Sequence, residues 1–119
     1  MNEKIYDLNL FGNETFKIIL GKSSYRNNGT LAVTMIQVCD DGTEEDFGVL
    51  TVNLECNLGL ANKTDMQFID TNNLTNKIMS WLEKNNIAKP TGLMWPSGYC
   101  MYPSVVFTKD ALAGMRRLG

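Results

Sequence analysis

Between Thr30 and Asn57 two apolar alternations meet at a run of carboxylates, and this pattern constrains the chain more than any other. Leu31, Val33, Met35 with Ile36, and Val38 lead into Asp40-Asp41-Gly42-Thr43-Glu44-Glu45-Asp46, and Val49, Leu50, Val52 and Leu54 return. Apolar runs on either side of a polar, glycine-containing turn read as two strands of a β-hairpin. The apolar residues are numerous enough to seed a core on which the rest of the chain packs.

Other segments add to this hairpin. Ile5 to Phe11 alternates loosely, Gly12-Asn13 is a turn signal, and Phe16 to Leu20 is a second short run stopped by Gly21. These predict a first hairpin, followed by a polar loop from Lys22 to Gly29. Leu58 to Asp65 reads as irregular and Met66 to Ile69 as a short strand. Asp70-Thr71-Asn72-Asn73 then supplies side-chain acceptors for a helix start. Leu74, Ile78, Trp81 and Leu82 fall at the spacing of one buried helical face, with Asn76, Lys77, Ser80, Glu83 and Lys84 opposite. The spacing predicts a helix from Leu74 to Asn85, closed by a left-handed Asn85-Asn86 cap and kept closed by Pro90.

Lys89-Pro90-Thr91-Gly92 reads as a turn, Leu93 to Trp95 as a short strand, and Tyr99 to Phe107 as a last strand interrupted at Pro103. Lys109 to Leu118 could form a short terminal helix. The expected fold is α+β: an antiparallel sheet of five or six strands with one main helix packed on one face. At 119 residues the chain is expected to be a single domain, 1–119.

The chain has no histidine. That removes imidazole acid–base chemistry, the usual Ser-His and Cys-His pairs and the commonest zinc ligand. No glycine-rich phosphate loop appears. No cofactor and no metal site are expected, and the chain reads as a non-enzyme. A formal charge of −2 gives no drive towards a polyanion and is too small for a DNA mimic. The charge is uneven, however. Residues 1–60 carry four basic and nine acidic side chains, and residues 61–119 carry seven and four. Such a polarity can orient a partner or be ordinary solvated surface. Cys39, Cys56 and Cys100 have no metal or redox spacing and suit reduced thiols in a cytoplasm. No apolar run is long enough to span a bilayer.

Three groups are candidate sites. Asp40, Asp41, Glu44, Glu45 and Asp46 form an acidic hairpin tip that fits a protein partner, or a solvated loop that blocks edge aggregation. The tip lacks the order of a calcium-binding loop. Trp95, Tyr99 and Tyr102 lie among turn formers, as interface aromatics often do, or they close the core beneath the helix. Tyr25 and Arg26 could hold a small ligand or nucleotide, with Trp95 and Tyr99 completing a pocket. Arg116-Arg117 could touch an acidic partner or be a frayed, solvated end.

Several strings are familiar together: Asn28-Gly29-Thr30-Leu31-Ala32-Val33, Thr51-Val52-Asn53-Leu54, Asp70-Thr71-Asn72-Asn73, Lys89-Pro90-Thr91-Gly92, and Ser97-Gly98-Tyr99 leading to Tyr102-Pro103. Their order resembles a family of small uncharacterised bacterial proteins carried on conjugative elements, plasmids and phages. The resemblance spans Ile5 to Phe107 and sets Thr108 to Gly119 apart as a C-terminal extension. It implies an accessory factor of a mobile element, of a kind that often binds and blocks host defence proteins, CRISPR nucleases among them. The alternative expectation is a small-ligand or nucleotide-signal sponge. The oligomeric state is left open.

Overall fold

The computed structural model describes residues 4–10, 12, 14–26, 29–54 and 65–118. Strands take 51% of them and helices 18%, so the molecule is predominantly β. This corrects the expected single sheet under one main helix: there are two sheets and three short helices. The first sheet is β1 (Tyr6–Leu8), β2 (Phe16–Ser24), β3 (Leu31–Val38) and β4 (Glu44–Val49), antiparallel in that order. A two-residue strand, β9 (Arg116–Arg117), joins β2 in parallel. The second sheet runs β5 (Thr51–Val52), β6 (Met66–Ile69), β8 (Cys100–Phe107), β7 (Ala88–Ser97), all antiparallel.

The expected central hairpin is present but its second strand is divided between the sheets. β4 pairs with β3 up to Thr34↔Val49, and β5 pairs with β6 instead. The division falls at Leu50, which is fully buried. Its N–H reaches Val33 O (2.9 Å) and its carbonyl accepts from Asp70 N–H (3.0 Å). Polar side chains sew the same seam. Thr51 Oγ1 accepts from Val33 N–H (3.1 Å), and buried Gln67 donates from Nε2 to Leu31 O (2.8 Å). Gln67 Oε1 accepts from Phe68 N–H (2.9 Å), so both ends of the amide are used. A buried amide so satisfied holds the sheets together without an unpaired group.

The expected stop of β2 at Gly21 is overturned: the strand continues to Ser24, fully paired with β3. Glycine suits this place because the chain end lies on it. A Cβ on Gly21 would stand 2.6 Å from Leu118 Cδ1. Asp70 does begin a helix, its side chain accepting from Asn73 N–H. That helix, α1 (Thr71–Leu74), ends after one turn at Thr75, whose φ is 66° and ψ 163°. α2 (Lys77–Lys84) follows. The two together bury Leu74, Ile78, Trp81 and Leu82 as the spacing predicts, and Asn86 takes the left-handed φ of 55°. Trp81 donates Nε1–H to Asp7 O (2.7 Å) and meets Tyr6 edge to face at 5.9 Å. The irregular segment expected after Leu58 lies, up to residue 64, outside the described residues.

The predicted turn at Lys89 to Gly92 is instead part of β7. Pro90↔Val105 and Met94↔Pro103 are both in register, so β7 spends two more residues than β8 between them. Hydroxyls replace the missing ladder bonds. Thr91 Oγ1 bonds Ser104 Oγ and accepts from Leu93 N–H, and Ser104 Oγ donates to Leu93 O. Pro103 is tolerated because β6 pairs only with Ser104 to Val106, so β8 needs no N–H on that side there. Finally, α3 (Lys109–Gly114) and β9 close the fold. Ala111 and Met115 enter the main core, which draws on both sheets and the helices. The residues set apart as an extension are part of the packed molecule.

Candidate functional site

The acidic run is divided by the hairpin that carries it. Cys39 N–H to Thr43 O (2.8 Å) and Gly42 N–H to Cys39 O (2.9 Å) tighten the turn, with Gly42 at φ 88°. Asp41 Oδ1 accepts from Thr43 N–H and Oγ1–H (3.0 and 2.6 Å). These bonds, the hydroxyl's first, hold the Asp41 carboxyl below its usual pKa. Glu44 is engaged too. Its two oxygens accept from Arg116 Nη1 and Nη2 (2.7 and 2.8 Å), which lowers its pKa in the same way. The Arg116-Arg117 end is therefore a strand with a fork-to-fork ion pair, not a frayed terminus. By register Arg116 lies beside Gly21, and Glu44 sits three strands away, beyond β2 and β3. The guanidinium reaches across that outer face, the face of Ile19, which is only 5% exposed although it is outside the main core.

Asp40, Glu45 and Asp46 are exposed. Glu45 and Asp46 lie on β4, which pairs only with β3 among the described residues and so stands at the sheet's edge. The ladder steps from Ile36↔Asp46 to Met35↔Gly48, which leaves Phe47 as an extra residue on β4. The bulge brings Phe47 to Phe16, ring centroids 5.1 Å apart at 62°. Beside them opens a groove of about 550 Å³ bounded by Gly48, Val49, Asp70 and Leu74. Val49 is 47% exposed. Sequence reasoning did not single out this groove. Its one signal was an aromatic, Phe47, placed between the acidic run and Gly48.

The 95–103 segment is a hairpin whose two faces differ. Trp95 pairs with Tyr102, and both are half-buried against a small second core of Leu54 and Phe68. The Tyr102 hydroxyl is raised above its usual pKa, first by partial burial and then by Cys100 and the Asp70 charge. Tyr99, at the tip, is wholly exposed, and Met94 and Met101 are about half exposed. The structure thus separates Tyr99 from Trp95 and Tyr102, which serve packing.

Tyr25 and Arg26 share none of four grooves on the described surface with these aromatics. The Tyr25 hydroxyl is taken by Thr51, 3.0 Å from Oγ1 and 3.3 Å from the carbonyl, while Arg26 is exposed. Other grooves on the described surface measure about 640, 280 and 120 Å³. None of the four is lined by Tyr25, Arg26, Trp95 or Tyr99. The groove of about 640 Å³ carries Lys77, Lys84 and Trp81 beside Asp7. Among the described residues no three His, Cys, Asp or Glu side chains are grouped to hold a metal. No helix among them is long and apolar enough to cross a membrane.

A family model described as a domain of unknown function, DUF4313, matches residues 19–119. The match therefore runs through α3 and β9, beyond the end expected at Phe107. No curated protein and no solved structure matches the chain.

Proposed function

From the premise that the chain belongs to the DUF4313 family, a domain of unknown function, we propose that it is a non-enzymatic, cytoplasmic protein-binding factor of a mobile genetic element. Its role is to inhibit a host defence system, CRISPR–Cas in particular, by occupying a protein surface. One observation carries the reading: the exposed carboxylates of Asp40, Glu45 and Asp46 on a hairpin held rigid from within. Asp41 and Glu44 spend their charge on fixing that hairpin, through Thr43 and Arg116. A rigid acidic edge selects a basic protein surface and speeds encounter with it. Nucleic-acid-binding defence proteins present such surfaces, so occupying one blocks a groove or a conformational step.

The test is phage plating on a bacterium with an active CRISPR–Cas system. The protein is expected to restore plating, and the Asp40→Lys, Glu45→Lys, Asp46→Lys triple variant to abolish the rescue while keeping its thermal midpoint. Plating unaffected by the unaltered protein on such hosts would overturn the inhibitor reading. Rescue that survives the triple variant would remove the acidic edge from it.

A further inference from the structure

We infer that the outer edge of β4, with the groove beside Phe16 and Phe47, is a docking site for an extended, basic segment of a partner protein, which adds to the first sheet as a fifth antiparallel-path strand. This rests on the protein-binding reading above and names the mode of binding. β4 has a neighbour on one side only among the described residues, so its other side offers backbone donors and acceptors to a new strand. Its six residues match about 20 Å of extended chain.

The groove supplies what a bare edge lacks. The β-bulge turns Phe47 onto Phe16, and Gly48 leaves the wall beside them open. At about 550 Å³ the space has the size of a small-ligand pocket and admits an apolar side chain from an added strand. Alternate residues of such a strand point the same way, so one apolar anchor can enter the groove while its neighbours face solvent.

Charge decides the occupant. Glu45 and Asp46 stand on the strand and Asp70 on the groove's far rim, and no Lys or Arg lines the groove. Arg116, the cation that reaches β4, is already committed to Glu44. A second copy is a poor occupant, because pairing β4 with itself would bring Glu45 and Asp46 of both chains into one ribbon with no Lys or Arg on the strand to offset them. A segment alternating lysine or arginine with apolar residues satisfies the edge, the groove and the rim at once.

The test uses the full chain and four synthetic ten-residue peptides: alternating Lys-Val, alternating Glu-Val, alternating Lys-Ser, and Lys-Val with every second amide N-methylated. Affinity is read by fluorescence anisotropy and location by amide shifts. The Lys-Val peptide is expected to bind at least about tenfold more tightly than each of the others. Its shifts should centre on residues 44–49 and 70–74, and Glu45→Lys with Asp46→Lys should weaken it by about tenfold or more. Equal binding of the methylated peptide, shifts centred elsewhere, or dimerisation of the chain through β4 would each overturn the docking mode. If rescue of phage plating persists beside any of those results, the inference falls and the inhibitor reading stands. If rescue fails while Lys-Val binds at β4, the reverse holds.

Discussion

At the scale of single residues, stability at the seam rests on polar side chains that are bonded at both ends. Gln67 is the clearest case: it is 1% exposed, and its amide serves Leu31 O and Phe68 N–H. Gln67→Leu keeps the volume but strands both backbone groups. Urea denaturation is expected to show a loss of about 2–4 kcal/mol, one to two kcal/mol or so for each orphaned group. Glu44 acts through charge. Its folded carboxyl binds a proton more weakly than the unfolded one, because Arg116 favours the anion. The stability it contributes is therefore complete above the unfolded carboxyl's pKa, about 4, and is lost as pH falls through the lower folded value. Glu44→Gln is expected to lower the thermal midpoint at neutral pH and to make its fall on acidification shallower. An unchanged acid limb would show the pair to be without weight.

Among the elements, the sequence was most legible where one period governed a segment. The helical face of Leu74, Ile78, Trp81 and Leu82, its exposed opposite face, the Asp70 start and the Asn86 finish all stand as the spacing implies. What the spacing could not show was the break at Thr75, since both helices keep the same buried face across it. The same limit hid the second sheet. Val49, Leu50, Val52 and Leu54 keep one pattern whether they extend a single strand or change sheets at Leu50. Gly21 and Lys89 to Gly92 were read as punctuation but lie inside strands, one under Leu118 and the other in a bulge bridged by hydroxyls. The acidic hairpin was visible and its groove was not, because Phe16 and Phe47 meet only through the bulge. Thr75 also carries a measurable consequence. A β-branched residue at φ 66° and ψ 163° occupies a region that glycine alone enters freely. Its hydroxyl recovers little, accepting from Lys77 N–H at 3.2 Å. Thr75→Gly is expected to raise stability by about 1 kcal/mol, read as a higher urea midpoint with unchanged slope. A loss of similar size would mean that the hydroxyl's bond outweighs the strain.

For the molecule as a whole, the last residues decide whether the first sheet is closed. β9 lies beside β2 on the edge that β1 leaves uncovered, Met115 fills the main core, and Arg116 reaches over the outer face to Glu44 on β4. The chain end thus ties strands that are far apart in sequence, with 95 residues between Gly21 and Arg116 and 72 between Glu44 and Arg116. Such long-range closure costs chain entropy once and then holds the sheet against fraying at its edge. A chain ending at Gly114 loses the Met115 packing, the β9 pairing and the ion pair together. It is expected to be less stable by about 3–5 kcal/mol, the range for emptying a buried methionine site with its neighbours. A chain lacking only Gly119 serves as the control. Amide exchange separates this from a merely local loss: Gly21 and Lys22 should lose protection first, and the Glu44 carboxyl should return to the ordinary carboxylate range. If the shortened chain instead keeps its stability and the lowered Glu44 pKa, the tail is not the clasp of the sheet, and the rigidity of the acidic edge must come from the Thr43 turn alone.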